Sequence, residues 1–366
     1  MHEPNQPDWG DFLKTCAVLC VMLQTVLSFV MKIGPSSFAQ WQIAEIYAAV
    51  KFTAPAFICG ILYTTIRILP HNTWRDYPHY MANQWHALYL PTILWTLAYL
   101  IIYPQLQQHR HFHSVGGFLL KLINGNAAPH LWYSTMMLQF IALMPFFWAL
   151  AHWMGAQRGR GWLALALAAI FEFGWFLVYD TQVFHGPEFH SLYWFDRIFP
   201  SFIYYGVLGV SLWVYHKSVA KWLPRLLPLI FVGWLYLWLL LAHQLRSWGE
   251  PINFANLPYY HPVVMVYNSL GILMICGIAE ILIRNSSILA RGAHWIAVYA
   301  FRSFLPHAFW LETLWLLLGN HVHQMRTETL LIFLYPTTVV LAFLSAYFFH
   351  VLRLVITKRH VLFGRH

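Results

Sequence analysis

The sequence predicts an all-α polytopic membrane protein with about ten transmembrane helices and both termini in the cytoplasm. Three observations carry this expectation. The first is composition: 59% of the residues are hydrophobic and only 10% are charged, where a soluble chain carries roughly 25% charge. The second is a succession of apolar runs of roughly 20 residues, the length that crosses about 30 Å of hydrocarbon as a helix. The third is an asymmetry in the Lys and Arg residues that flank those runs.

The runs are bounded by polar residues, Gly or Pro, and fall at about 12–33, 43–66, 85–103, 129–152, 161–179, 198–216, 225–245, 262–283, 294–318 and 329–356. This divides the chain into a short tail (1–11), a membrane domain (12–356) and a basic C-terminal tail (357–366). The opening MHEPNQPDWG has no basic n-region, and no small-residue cleavage site follows the first run. The first helix is therefore expected to stay in place as a signal-anchor. With the N-terminus inside, 14 Lys and Arg residues, Lys14, Arg67 and Arg75 among them, lie on the cytoplasmic side, against 6 outside, including Lys32 and Arg110. The ninth run contains Arg302, Pro306 and His307 and is a candidate for a broken helix.

Polar residues at membrane depth are the informative ones, since each charge there costs at least ~2.5 kcal/mol unless paired or hydrated. Gln24 and Thr25 stand in the first run, Lys51 in the second and Glu172 in the middle of the fifth. Glu280 is close enough to the inner face to snorkel, or to pair with Arg284 one turn on. Arg302, His307 and Glu312 follow one another at intervals of five and so do not share a helix face. Two readings stand side by side. Gln24 and Thr25 are either interhelical glue or cavity wall, and Lys51 and Arg302 either pair with Glu172 or Glu312 or line a polar substrate cavity.

Several classes fall away. The cysteines (Cys16, Cys20, Cys59 and Cys276) all lie in apolar runs, without the spacing of a disulfide framework or zinc site. The His109–His113 run (HRHFH) and the pair His321 and His323 could collect a metal. No Cys accompanies them and acidic residues are sparse nearby, so no metal site is assigned. There is no GxSxG and no phosphate-cradling Gly-rich loop. The net charge of +9 reflects basic residues at helix ends and requires no nucleic-acid partner. No repeat of the kind that marks secondary transporters is evident.

Several segments, in order, resemble the bacterial membrane O-acyltransferases of the acyltransferase type three family. Asp11-Phe12-Leu13-Lys14 and the apolar run after it resemble the family's first helix. The stretch Lys51 to Gly60, KFTAPAFICG, resembles its aromatic-rich second helix, and His86 to Leu97, with Pro91, the opening of its third. His130-Leu131-Trp132-Tyr133 matches its H-L-W-F/Y element, with Pro145 following. Tyr204 to Gly209 and Phe304-Leu305-Pro306-His307 resemble its two later motifs.

The resemblance implies a multi-pass plasma-membrane protein that moves an acyl group, such as acetyl, from a thioester to a hydroxyl of a cell-envelope glycan or lipid-linked acceptor. Acyl-CoA or another acyl thioester would be the co-substrate, with no bound cofactor and the lipid bilayer as surroundings. Counting from Lys14, the family's catalytic His falls at Thr25, beside Gln24, and its R-x-x-R pair falls at Gln84 and Ala87. On this alignment His307 or His86 would supply the base, Arg67 and Arg75 the donor-side charge, and Trp132 and Tyr133 the acceptor or acyl pocket. The alternative is a catalytically inactive relative kept as a membrane scaffold, receptor or conduit.

Overall fold

A computed structural model describes residues 6–108, 114–188 and 191–363, with the side chains of 353–363 outside that description. The run His109–His113 therefore lies outside the described residues. Every described element is helical. Seven helices among the described residues are long and apolar enough to cross a membrane, or eight if one bent pair counts as a single span. The chain is a multi-pass membrane protein.

Helix α1 (Trp9–Met31) begins where Asp8 caps it. The Asp8 carboxylate accepts from the Asp11 amide at 2.8 Å, and the Asp11 carboxylate accepts from the Asp8 amide at 3.3 Å, closing a reciprocal capping box. The same two carboxylates tie α1 to its neighbours. Asp8 pairs with Arg67 at 2.5 Å, and Asp11 holds Lys14 at 3.1 Å and His294 at 2.7 Å. The Trp9 indole donates to Glu280 at 2.9 Å, and Glu280 in turn pairs with Arg284 at 2.6 Å, as the sequence spacing suggested.

The second apolar run folds as two segments, α2 (Ser37–Ala49) and α3 (Thr53–Ile68), interrupted at Val50–Phe52. The third lies in a helical stretch, Trp74–Ile102, that contains α4 (Tyr77–Gln84) and α5 (Leu90–Ile102) joined by a π-helical turn, Trp85–Tyr89. A short helix, α6 (Val115–Asn124), occupies the long connection. The fourth run becomes α7 (Leu131–Ala142) and α8 (Met144–Gly155), which meet at 58° where Pro145 cannot donate a backbone hydrogen bond. Next come α9 (Arg160–Tyr179), α10 (Ile203–Val214), α11 (His216–Ser247) and α12 (Pro262–Arg284). The sixth run is carried by a helical stretch of only Phe199–Val214, too short to count as a full span. The ninth is split at Leu305-Pro306 into α13 (Ile288–Phe304) and α14 (His307–Leu318), and α15 (Thr327–Phe363) closes the chain. Fewer spans than ten are counted because breaks divide the fourth and ninth runs and the sixth is too short, whereas the second still counts as one span, Ser37–Ile68, despite its interruption.

Helix α1 runs through the centre, packed on α3, α12, α13 and α15. Helix α3 is wedged between α1 and α10. Small residues permit the close approach: a Cβ on Gly60 would come 3.0 Å from that of Leu13, and one on Gly209 would overlap the Cys59 carbonyl. Lipid offers no hydrophobic drive between helices, so such close backbone packing holds the bundle together.

Candidate active site

A helix broken inside a bilayer must find partners for the carbonyls it frees. At Leu305-Pro306 the proline has no N–H, and the carbonyls of Phe304 and Leu305 leave the helical ladder. Tyr99 on α5 splices the gap: its hydroxyl donates to the Leu305 carbonyl at 2.9 Å and accepts from the Phe309 amide at 2.8 Å. Two histidines complete the repair. His130, just ahead of α7, sets Nε2 3.2 Å from the Leu305 carbonyl, and His307 turns Nδ1 back to the Phe304 carbonyl.

A carbonyl only accepts, so the ring nitrogen facing it carries the proton in neutral imidazole. That assignment leaves one lone pair on each ring: Nε2 of His307 and Nδ1 of His130. The two rings lie edge to face, 4.5 Å between centroids. His307 Nε2 meets the Thr25 hydroxyl at 3.0 Å. Among the described residues, His130 Nδ1 is buried and has no hydrogen-bond partner. A buried acceptor in this state costs about 1–3 kcal/mol, and an incoming hydroxyl would relieve it.

Both histidines stand at one cavity of about 210 Å³ between α1, α3 and α7. His130 lines it directly, whereas His307 is fully buried and reaches it through Thr25. Gln24, Thr25, Trp132 and Tyr133 all line this cavity, so the structure gathers these sequence candidates around one space. Gln24 accepts from Thr53 at 3.2 Å and donates to the Val50 carbonyl at 2.7 Å. The Tyr133 hydroxyl is buried and, among the described residues, unpartnered.

Lys51 sits at the α2–α3 break, 4% exposed, with its ammonium 4.1 Å from the Tyr259 ring centre and 5.1 Å from that of Tyr47. Both tyrosines line the cavity, so Lys51 stands one ring behind its wall. Among the described residues no carboxylate is within ion-pair distance of it, so pairing with Glu172 or Glu312 is not what holds it. Glu172 is elsewhere, accepting from the Tyr204 amide at 2.7 Å, and Glu312 accepts from Gln105 at 2.9 Å.

His86 and Arg302 meet at a second space of about 310 Å³, walled by Leu94, Trp95 and Phe349. There Arg302 lies 3.2 Å from the His350 ring nitrogen. Leu305 borders this space too, so the α13–α14 break separates it from the first cavity. Arg67 is committed to Asp8, and Arg75 is exposed on the connection after α3. Sequence reasoning singled out His307 but not His130 as a chemical group. The signal lies in the H-L-W-F/Y element, whose first residue is His130.

No three His, Cys, Asp or Glu side chains among the described residues are gathered as a metal ion would require. The arrangement sets two buried imidazoles beside one cavity, His130 in its wall and His307 behind Thr25. The sequence profile of the acyltransferase domain matches residues 8–351, and the chain belongs to the acyltransferase type three family. No curated protein and no solved structure matches it.

Proposed function

We propose that this membrane acyltransferase-family protein moves an acyl group, such as acetyl, from a thioester donor to a hydroxyl of a cell-envelope glycan or lipid-linked acceptor in the plasma membrane. One observation carries the reading: two imidazoles are each pinned through one nitrogen to a carbonyl of the α13–α14 break, and their other nitrogens serve hydroxyl chemistry, His307 Nε2 at Thr25 and His130 Nδ1, unpartnered among the described residues, at the cavity. An imidazole fixed in one tautomer and orientation is what general-base catalysis of hydroxyl attack requires. Substrate-sized space adjoins it, lined by Trp132 and Tyr133.

The space beside Arg302, His86 and His350 supports a donor-side role. Its walls are apolar enough for an acyl chain or pantetheine arm, and its cationic guanidinium suits an anionic group. A further cavity of about 350 Å³ near the ends of α9 and α11 combines the exposed Trp248 with Asp180, Gln244 and Asn256. An aromatic face beside amide and carboxylate groups is suited to a sugar. Tyr260 lines it while the adjacent Tyr259 lines the histidine cavity.

The test is turnover of radiolabelled acetyl-CoA by the purified protein in nanodiscs, with methyl glucoside as acceptor. Saturable transfer that falls at least about 100-fold in His307→Ala, as loss of a general base does, supports the enzyme. Absence of donor binding and turnover would favour the inactive-relative reading, in which the replacement of the family's R-x-x-R by Gln84 and Ala87 is decisive.

A further inference from the structure

We propose that Thr25 is the nucleophile of this acyltransferase, accepting the acyl group as an ester before passing it on; the proposal rests on the acyl-transfer reading above. His307 is fully buried, and its second ring nitrogen, Nε2, is occupied by the Thr25 hydroxyl at 3.0 Å. Thr25, half-buried, lies between that nitrogen and the cavity and lines the latter. An outside hydroxyl has no direct line to the lone pair, whereas Thr25 is on it. Nucleophile and base stand within hydrogen-bond reach, and a third group, the Phe304 carbonyl, orients the base through Nδ1. That is the geometry of an activated hydroxyl.

The hydroxyl also has a second acceptor, the Val21 carbonyl at 2.9 Å one turn back. It can rest there and swing its proton to the imidazole when a thioester enters. Tyr133 adds a buried, unpartnered hydroxyl to the same cavity wall, a donor available to a developing oxyanion. His130 Nδ1 offers a place for the acceptor's hydroxyl once the ester has formed.

The steps balance. Thr25 Oγ1 bonds to the thioester carbonyl carbon, and its proton passes to His307 Nε2. The carbon–sulfur bond breaks, and the thiolate leaves as thiol with that proton, giving O-acyl-Thr25. The acceptor oxygen then bonds to the acyl carbon while His130 Nδ1 takes its proton. The Thr25 ester bond breaks, and the proton returns to Oγ1.

The experiment quenches the nanodisc protein with radiolabelled acetyl-CoA before acceptor is added, then maps the label by peptide mass. Label on the α1 peptide at Thr25, discharged by methyl glucoside and by hydroxylamine, is expected. It should be absent in Thr25→Val and retained in Thr25→Ser, which keeps the hydroxyl, and initial rates should show the parallel-line pattern of double displacement. Transfer by Thr25→Val within about threefold of the wild type, with no labelled protein, would overturn the covalent role while leaving the acyltransferase reading intact. A wild-type protein that consumes no thioester would overturn both. If neither variant folds, label found on any residue but Thr25 in the wild type overturns the proposal by itself.

Discussion

Two helix breaks face each other across α1, and they are finished in opposite ways. At Val50–Phe52 the carbonyls are met by an amide and a phenol, neither of which is a base near neutral pH. Gln24 donates to Val50 and spends its oxygen on Thr53, while the Tyr267 hydroxyl, near 2.9 Å and 2.8 Å, serves Ala48 and Ala49. At Leu305-Pro306 the carbonyls are met by imidazoles, and an imidazole bonded through one nitrogen still has the other. The first break is finished without an imidazole and acts as a joint. The second leaves one imidazole lone pair at a cavity wall, on His130, and turns the other, on His307, to Thr25. A broken helix in a membrane becomes a chemical site when the side chains that repair it have a second functional atom.

The sharpest way to break this comparison is at Tyr99. Tyr99→Phe removes a hydroxyl bonded to both sides of the second break. It is expected to cost about 2–3 kcal/mol of stability and, by letting the Leu305 carbonyl move from His130, to lower acetyl transfer roughly tenfold or more. Thermal unfolding in detergent, read beside turnover per folded molecule, checks both effects. Gln24→Leu should unpair the Val50 carbonyl at the first break, lowering stability by about 1–2 kcal/mol and, since Gln24 is a wall residue of the cavity, reducing transfer per folded molecule less than Tyr99→Phe does. Should Gln24→Leu silence transfer as deeply as Tyr99→Phe, the two breaks would not differ as described. The smallest effect is expected at Lys51. Its ammonium is buried over aromatic rings without a carboxylate, so Lys51→Met trades a desolvated charge for a side chain of similar length. The thermal midpoint should be unchanged or slightly raised, within about 1 kcal/mol; a fall much beyond that would show that the cation holds the first break together.

The sequence by itself determined the class. Long apolar runs, few charges and the ordered motifs from Asp11 to His307 are one-dimensional properties, set by the need to satisfy every backbone group within lipid. Pro306 inside the ninth run also marked the break that the structure contains. The Val50–Phe52 interruption carries no proline or glycine and was not legible, because it is held open by contacts from α1 and α12. The site divides in the same way. Gln24, Thr25, Trp132, Tyr133 and His307 were visible as polar or motif residues, but hundreds of positions separate some of them, and no periodicity says which face one another. Only the tertiary structure set Thr25 against His307, gave Gln24 a structural duty and moved His86 and Arg302 to a different space. The physical reason is that a side chain's chemistry depends on which of its atoms are already spent on hydrogen bonds. In this fold those bonds are decided by carbonyls that two helix breaks release far away in sequence.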